Sequence, residues 1–209
     1  MCLLRGEKMS QIDLRIVKTK ESLHIALLEL LNVKPLEDIS ITEICRKAKV
    51  NRGTFYFHYA QIEDLFEEYF KEITADLANS YQEPYRHVSV LITSELDPST
   101  LRIFHHIEKY KPFYRIIFSK NVPLTYYYLL FEEIKRLLLQ DKAAFFHKEI
   151  NQDLFCAYQA NAIIGIIIDW YQNDFSYSVS YLNDQLVQFL NMNVDGQKAL
   201  TLDDNDTKR

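Results

Sequence analysis

A chain of 209 residues that is 48% hydrophobic can bury a sizeable core unaided, and its three cysteines, Cys2, Cys45 and Cys156, are too few and too scattered for a disulfide framework or a zinc knuckle. Four glycines and five prolines exclude Gly-rich architectures and leave nothing to build a phosphate-cradling loop or a dinucleotide fingerprint. The net charge of −5 is unevenly spread: residues 1–60 hold ten Lys or Arg against seven Asp or Glu, and residues 61–209 hold fourteen against twenty-two, so the basic end is N-terminal.

Apolar residues recur at helical spacing throughout, which predicts an all-α fold. Residues 1–12 lack the pattern of a secretory signal, and the helical pattern begins only after Ser10, which marks Met9 as the expected true start. Ile16, Leu23, Leu27, Leu30 and Leu31 form the stripe of a first helix over 14–33, ended by Lys34-Pro35. Ser40 followed by Glu43 is a capping box that opens a short helix over 41–48. Asn51 caps a second short helix over 52–59, so the pair is punctuated as a helix-turn-helix.

A longer helix carries Leu65, Phe66, Tyr69, Phe70, Ile73 and Leu77 on one face and stops near Pro84. Asp97-Pro98, Lys111-Pro112 and Val122-Pro123 mark helix starts, because proline loses no hydrogen bond in a first turn. They predict helices over 99–109, 112–119 and 123–140, followed by helices over 151–173 and 178–191. Residues 193–209 are polar and unpatterned and are expected to be a disordered tail. The longest apolar run, Ala162 to Ile168, falls well short of the ~20 residues that cross a bilayer, so no membrane span is expected.

A helix that enters the major groove needs short polar and forked cationic groups near its N-terminus, and Asn51, Arg52, Thr54 and Tyr56 supply them. Gly53 lets the backbone approach DNA, while Ser40 and Thr42, at the start of the preceding helix, are placed for a phosphate. His58 and Tyr59 are assigned to backbone phosphates, and Phe55 to a small core with Ile44, Ala48 and Val50. Cys45 falls on the buried side of its helix and is expected to be a small core residue.

The segment ISITEICRKAKVNRGTFYFHYAQIEDL, from Ile39 to Leu65, resembles the TetR/AcrR family of one-component regulators. The resemblance covers about 50 residues; Ile44-Cys45 stands for the family's Ile-Ala pair, Ala48-Lys49-Val50 for its turn, and Gly53-Thr54-Phe55-Tyr56 for its recognition signature. Two positions depart from the pattern: Lys49 replaces the turn glycine and can supply a phosphate contact, and Ile62 replaces a lysine common before the fourth helix. The resemblance implies a DNA-binding domain over 10–60, a helical ligand-binding and dimerisation domain over 61–192, and an operator-bound homodimer.

Nine of the twenty-eight residues from Phe104 to Phe131 are aromatic, a density that fills a core or lines a pocket. The candidate effector-binding residues are Phe104, Phe113, Tyr114, Phe118, Tyr127 and Phe131. The stretch AIIGIIIDWY over 162–171 is apolar nearly all round, so its helix must be covered on more than one side. With the last helix it resembles the family's two-helix dimer face, which assigns Ile164, Ile167, Ile168, Trp170, Tyr171, Leu182, Leu186 and Phe189 to the interface.

No catalytic residue, metal site or cofactor is expected: GxSxG is absent, the adjacent His105 and His106 diverge on a helix, and no carboxylate pair sits in an apolar setting. The expected protein is a cytoplasmic homodimer that binds a near-palindromic double-stranded DNA operator, acts as a repressor, and is released by a small-molecule effector. A helical adaptor dimer or activator whose C-terminal domain binds a protein partner stays open beside it.

Overall fold

Short local signals set several helix starts in the computed structural model, which describes residues 3–85, 93–140 and 150–192, with side chains over 14–85, 94–140 and 150–191. The expected tail over 193–209 lies outside the described residues. Ser40, Asn51 and Asn151 each accept the backbone N–H of the residue three positions on, and so open α2 (Ile41–Ala48), α3 (Arg52–His58) and α8 (Gln152–Gln172). Asp64 does the reverse for α4 (Ile62–Gln82): its carboxylate accepts the N–H groups of Ala60 and Gln61, both at 3.1 Å. The others are α1 (Leu3–Leu31), α5 (Ile103–Lys109), α6 (Lys111–Ile117), α7 (Thr125–Leu139) and α9 (Val179–Met192).

The expected helices are present with shifted ends. Helix α1 begins at Leu3 rather than near residue 14, since nothing over 3–13 except Gly6 opposes a helix. The segment expected as one helix over 99–109 divides into a 3-10 turn, Pro98–Thr100, and α5; between them Leu101 is extended, and its carbonyl accepts from the buried Asn183 of α9 at 3.3 Å.

Helix α1 packs on α2, α4 and α6; α4 continues against α5 and α7; α7 lies along α8; and α5 meets α9. One continuous set of buried side chains runs from Ile44 and Phe55 through Leu65, Phe66 and Phe70 to Phe113, Leu130 and Trp170. Helix α4 is common to both halves: Phe66 stands edge-on to Tyr126 at 4.6 Å between ring centroids, and Phe70 lies 5.9 Å from Phe113. Asp76, farther along α4, accepts from His106 Nδ1 at 2.6 Å, while His106 Nε2 accepts from the Tyr114 hydroxyl at 3.0 Å. Burial lowers the His106 pKa, in keeping with a neutral ring that donates once and accepts once.

Helix α8 is long and apolar enough to meet the length and composition of a membrane span, yet it buries Cys156, Ala160, Ile164, Ile167 and Trp170 against the rest of the chain. The turn that follows holds two consecutive non-glycine residues in the left-handed region, Asp174 at φ 52° and Phe175 at φ 55°. It is anchored from inside. The Phe175 ring is buried 5.2 Å from Trp170, and Trp170 Nε1 donates to the Tyr177 carbonyl at 3.1 Å.

His24 on α1 is buried against the Tyr69 ring at 4.7 Å, and its Nε2 has no hydrogen-bond partner among the described residues. Glu68 and Glu72 stand 3.9 and 3.8 Å from its two nitrogens, but burial outweighs them and lowers its pKa from 6.5 to about 4. The unfolded chain therefore takes up a proton first, so the contribution of His24 to stability is complete above pH 6.5 and is lost as pH falls toward 4. His24→Phe keeps the ring and removes the titration. The expected outcome is that the gap between melting temperatures at about pH 8 and about pH 5 is smaller in the variant than in the wild type.

Candidate nucleic-acid interface

The reading segment is assembled by caps at both ends of α2 and at the start of α3. The Ser40 side chain accepts from Glu43 N at 3.3 Å, and Glu43 accepts in return from Ser40 N at 3.0 Å and from Lys34 Nζ at 2.8 Å. These bonds, from the Lys34 ammonium first and then from Ser40, lower the Glu43 pKa to about 2. The Lys34 ammonium also donates to the Asp38 carbonyl, which ties the 3-10 turn Leu36–Asp38 to α2.

Helix α2 ends at Lys49 with φ 56° and ψ 38°, and this left-handed cap returns its N–H to Arg46 and Cys45 carbonyls. The chain then enters α3 through Asn51, whose Oδ1 accepts from Thr54 N at 2.7 Å and from the Thr54 hydroxyl at 3.0 Å. A Cβ on residue 53 would come 3.2 Å from that same Oδ1, so glycine leaves the cap undisturbed. The Arg52 guanidinium donates to the Tyr56 hydroxyl at 3.2 Å, one turn along the same face.

Ser40, Thr42, Lys49, Asn51, Arg52, Gly53 and Tyr56 are all exposed, and Thr54 and His58 are half-buried at the edges of the same surface. Arg46 and Lys47 add exposed cations on α2, the latter paired with Glu29 at 2.8 Å. Phe55 is fully buried beneath with Ile44, and Cys45 is buried too, its thiol pKa raised by burial. Ile62, where a cation was expected, is the first residue of α4 and is buried.

Tyr59 departs from its assignment to a phosphate. It is 5% exposed, and its hydroxyl donates to Glu68 of α4, which also accepts from Lys20 of α1 at 2.5 Å. The helix ends at His58, and the extended backbone of Tyr59 turns the ring inward, away from the surface that carries Tyr56. Conversely, Phe57 is 76% exposed beside Tyr56 and went unassigned. Its i±3 and i±4 neighbours, Gly53, Thr54, Ala60 and Gln61, include no large apolar partner, which was the available sign that it faces outward.

The C-terminal assignments divide in the same way. Phe104, Phe113 and Tyr114 are fully buried in the core, with Phe113 against Tyr69 of α4 and Phe104 against Trp170 of α8, and none of the three belongs to the lining of the pocket at Phe118 and Tyr127. Phe118 and Tyr127 line a half-open pocket of about 350 Å³ with Ile168 and Tyr171 of α8. Phe131 packs against the core and lies outside the pocket lining. Of the residues assigned to a dimer face, Ile164, Ile167, Trp170 and Leu182 are buried within the protomer, Leu186 is half-buried, and Phe189 is exposed. The outward faces of α8 and α9 instead present Leu154, Tyr158, Gly165 and Tyr181 beside Phe189.

Two family models match the chain: "Bacterial regulatory proteins, tetR family" over residues 26–69, and "Transcriptional regulator C-terminal region" over residues 94–192. The HTH-type transcriptional regulator YxbF of Bacillus subtilis (strain 168) is 40% identical over 72 residues, which are 34% of this chain and 19% of that protein. The dhaKLM operon transcriptional activator DhaS of Lactococcus lactis subsp. lactis (strain IL1403) is 24% identical over 152 residues, 71% of this chain and 76% of that protein. Among solved structures, a TetR-family transcriptional regulator of Syntrophomonas wolfei superposes with a TM-score of 0.66, at 15% identity over 88% of this chain and 98% of that one, which shows a shared fold.

A left-handed lysine carries a backbone cost of about 1–2 kcal/mol that glycine does not. Lys49→Gly is therefore expected to raise stability by about 1 kcal/mol in urea titration with an unchanged slope.

Proposed function

Since the chain belongs to the TetR family of transcriptional regulators, non-enzymatic proteins that bind DNA and dimerise, we propose that it binds a near-palindromic operator as a homodimer, with one α3 in each of two successive major grooves. The observation that carries this is the exposed Arg52–Tyr56 pair on a helix capped by Asn51 and backed by the buried Phe55. Arg52 and Thr54 meet base edges; Tyr56 and Phe57 offer a hydroxyl and an apolar ring to the groove wall and thymine methyls. Ser40, Thr42, Lys49 and His58 meet phosphates.

The DNA-binding unit spans residues 10–60 and the ligand-binding and dimerisation unit 61–192, with the second protomer covering the outward apolar faces of α8 and α9. Leu154, Tyr158, Tyr181 and Phe189 are exposed there, and Gly165 has open space where a Cβ would stand, which suits close helix approach in a four-helix interface. The protein acts in the cytoplasm. It represses, and an effector in the pocket beside Phe118 and Tyr127 favours a spacing of the two α3 helices that misfits the operator. Activation is the second reading, favoured by the relative DhaS, which is named a transcriptional activator.

Gel-shift titration on the DNA upstream of its own gene is expected to show steeply salt-dependent, sequence-specific binding. Arg52→Ala should lose about 1–3 kcal/mol of preference for operator over random DNA, whereas Lys49→Ala should weaken both about equally and flatten the salt slope by about one. Equal behaviour of both variants and wild type would remove α3 from the groove. Tyr158→Glu should shift the protein from dimer to monomer in sedimentation; an unchanged dimer would place the interface elsewhere.

A further inference from the structure

The pocket and the DNA-binding half share one short segment of chain. Residues 118–124, between α6 and α7, form a wall of the pocket through Phe118, Lys120 and Leu124, while α8 supplies Ile168 and Tyr171 opposite. Asn121 lies in that same segment and reaches across to the reading head: its side-chain Nδ2 donates to the Leu31 carbonyl, at the last turn of α1, at 2.7 Å. Its own carbonyl accepts from Leu36 N at 2.8 Å, in the 3-10 turn that leads into α2. The Ser119 hydroxyl accepts from Asn121 N at 3.1 Å and holds the segment in this form.

The lining also has a sign. Its aromatic and aliphatic side chains enclose an apolar body, the only charged lining residue is Lys120, and Lys120 has no ion-pair partner among the described residues. Ser119, Gln172 and the hydroxyls of Tyr127 and Tyr171 are the other polar lining groups, and among the described residues no carboxylate lines the pocket. A volume of about 350 Å³ suits a small molecule rather than a peptide.

Resting on the effector reading above, we propose that this pocket takes a small monocarboxylate with an apolar body, its charge against Lys120, and that Asn121 relays its entry to the end of α1 and the start of the helix-turn-helix. The ligand pushes on residues 118–124, and the two Asn121 bonds give that push a direct route to the segment that sets where α2 and α3 stand. The route does not pass through α4, and this separates it from the Asp76–His106–Tyr114 contact.

The test uses the full-length protein, with benzoate and octanoate as probes and benzamide and octanamide as their uncharged counterparts. Binding is followed by calorimetry and operator affinity by gel shift. At least one carboxylate is expected to bind about fivefold more tightly than its amide, and Lys120→Gln should erase that preference. Asn121→Ala should bind the carboxylate with unchanged affinity while the ligand-induced change in operator affinity falls about fivefold. A merely structural Asn121 would lower the melting temperature and leave that ratio intact, which would overturn the relay. Amides that bind as well as carboxylates, or a preference that survives Lys120→Gln, would overturn the anion class. Release of operator by the amides or by a hydrophobic cation, with no carboxylate bound, would overturn this proposal and leave the effector reading standing.

Discussion

A helix that reads DNA is useful only if its angle to the rest of the molecule is fixed, and here that angle depends on a buried phenol. Tyr59 closes α3 and directs its hydroxyl to Glu68 of α4, where Lys20 of α1 is the second donor. Burial alone would raise the Glu68 pKa, but the bonds from Lys20 and Tyr59 hold it below the ordinary value, so the acceptor stays charged. Burial pushes the Tyr59 phenol pKa up and keeps it a donor. Three helices thus meet at one carboxylate, and hydrogen bonds to a charged group are among the stronger ones a fold can use.

Helix α4 carries this constraint into the second half of the chain. Its Phe66 and Phe70 pack on Tyr126 and Phe113, and its Asp76 engages the neutral His106, so the same rod is held by aromatic contact along its middle and by hydrogen bonds near its end. The short α5 and α6 have little surface of their own and are placed by these contacts. With Asn121 bonded to the end of α1 on another side, the two halves are joined at separate points rather than by a single hinge.

Much of this was legible in the residues. The Ser40–Glu43 box and the Asn51 cap act within four residues, so the sequence contains both partners of each bond, and α2 and the start of α3 fall where those signals put them. The inward turn of Tyr59 was not legible, because its partner Glu68 is on another helix and the choice between groove and core is made by that contact. The same limit explains Phe104, Phe113 and Tyr114: aromatic density shows that rings gather, while which rings line a space depends on how α6, α7 and α8 meet. Residues 162–171 of α8 are apolar nearly all round, so periodicity carries little information about which of Ile164, Ile167 or Ile168 faces out.

The turn between α8 and α9 has a consequence for how such a chain can drift. Its two left-handed residues are unfavourable alone, and the buried Phe175 ring compensates by filling the space beside Trp170. A glycine there would relax the backbone and lose the ring; a larger or shorter loop would move Tyr177 off the indole N–H. The length of this linker and the ring at Phe175 therefore act as one unit, and a change to either alone is expected to loosen the seat of α9 against α5.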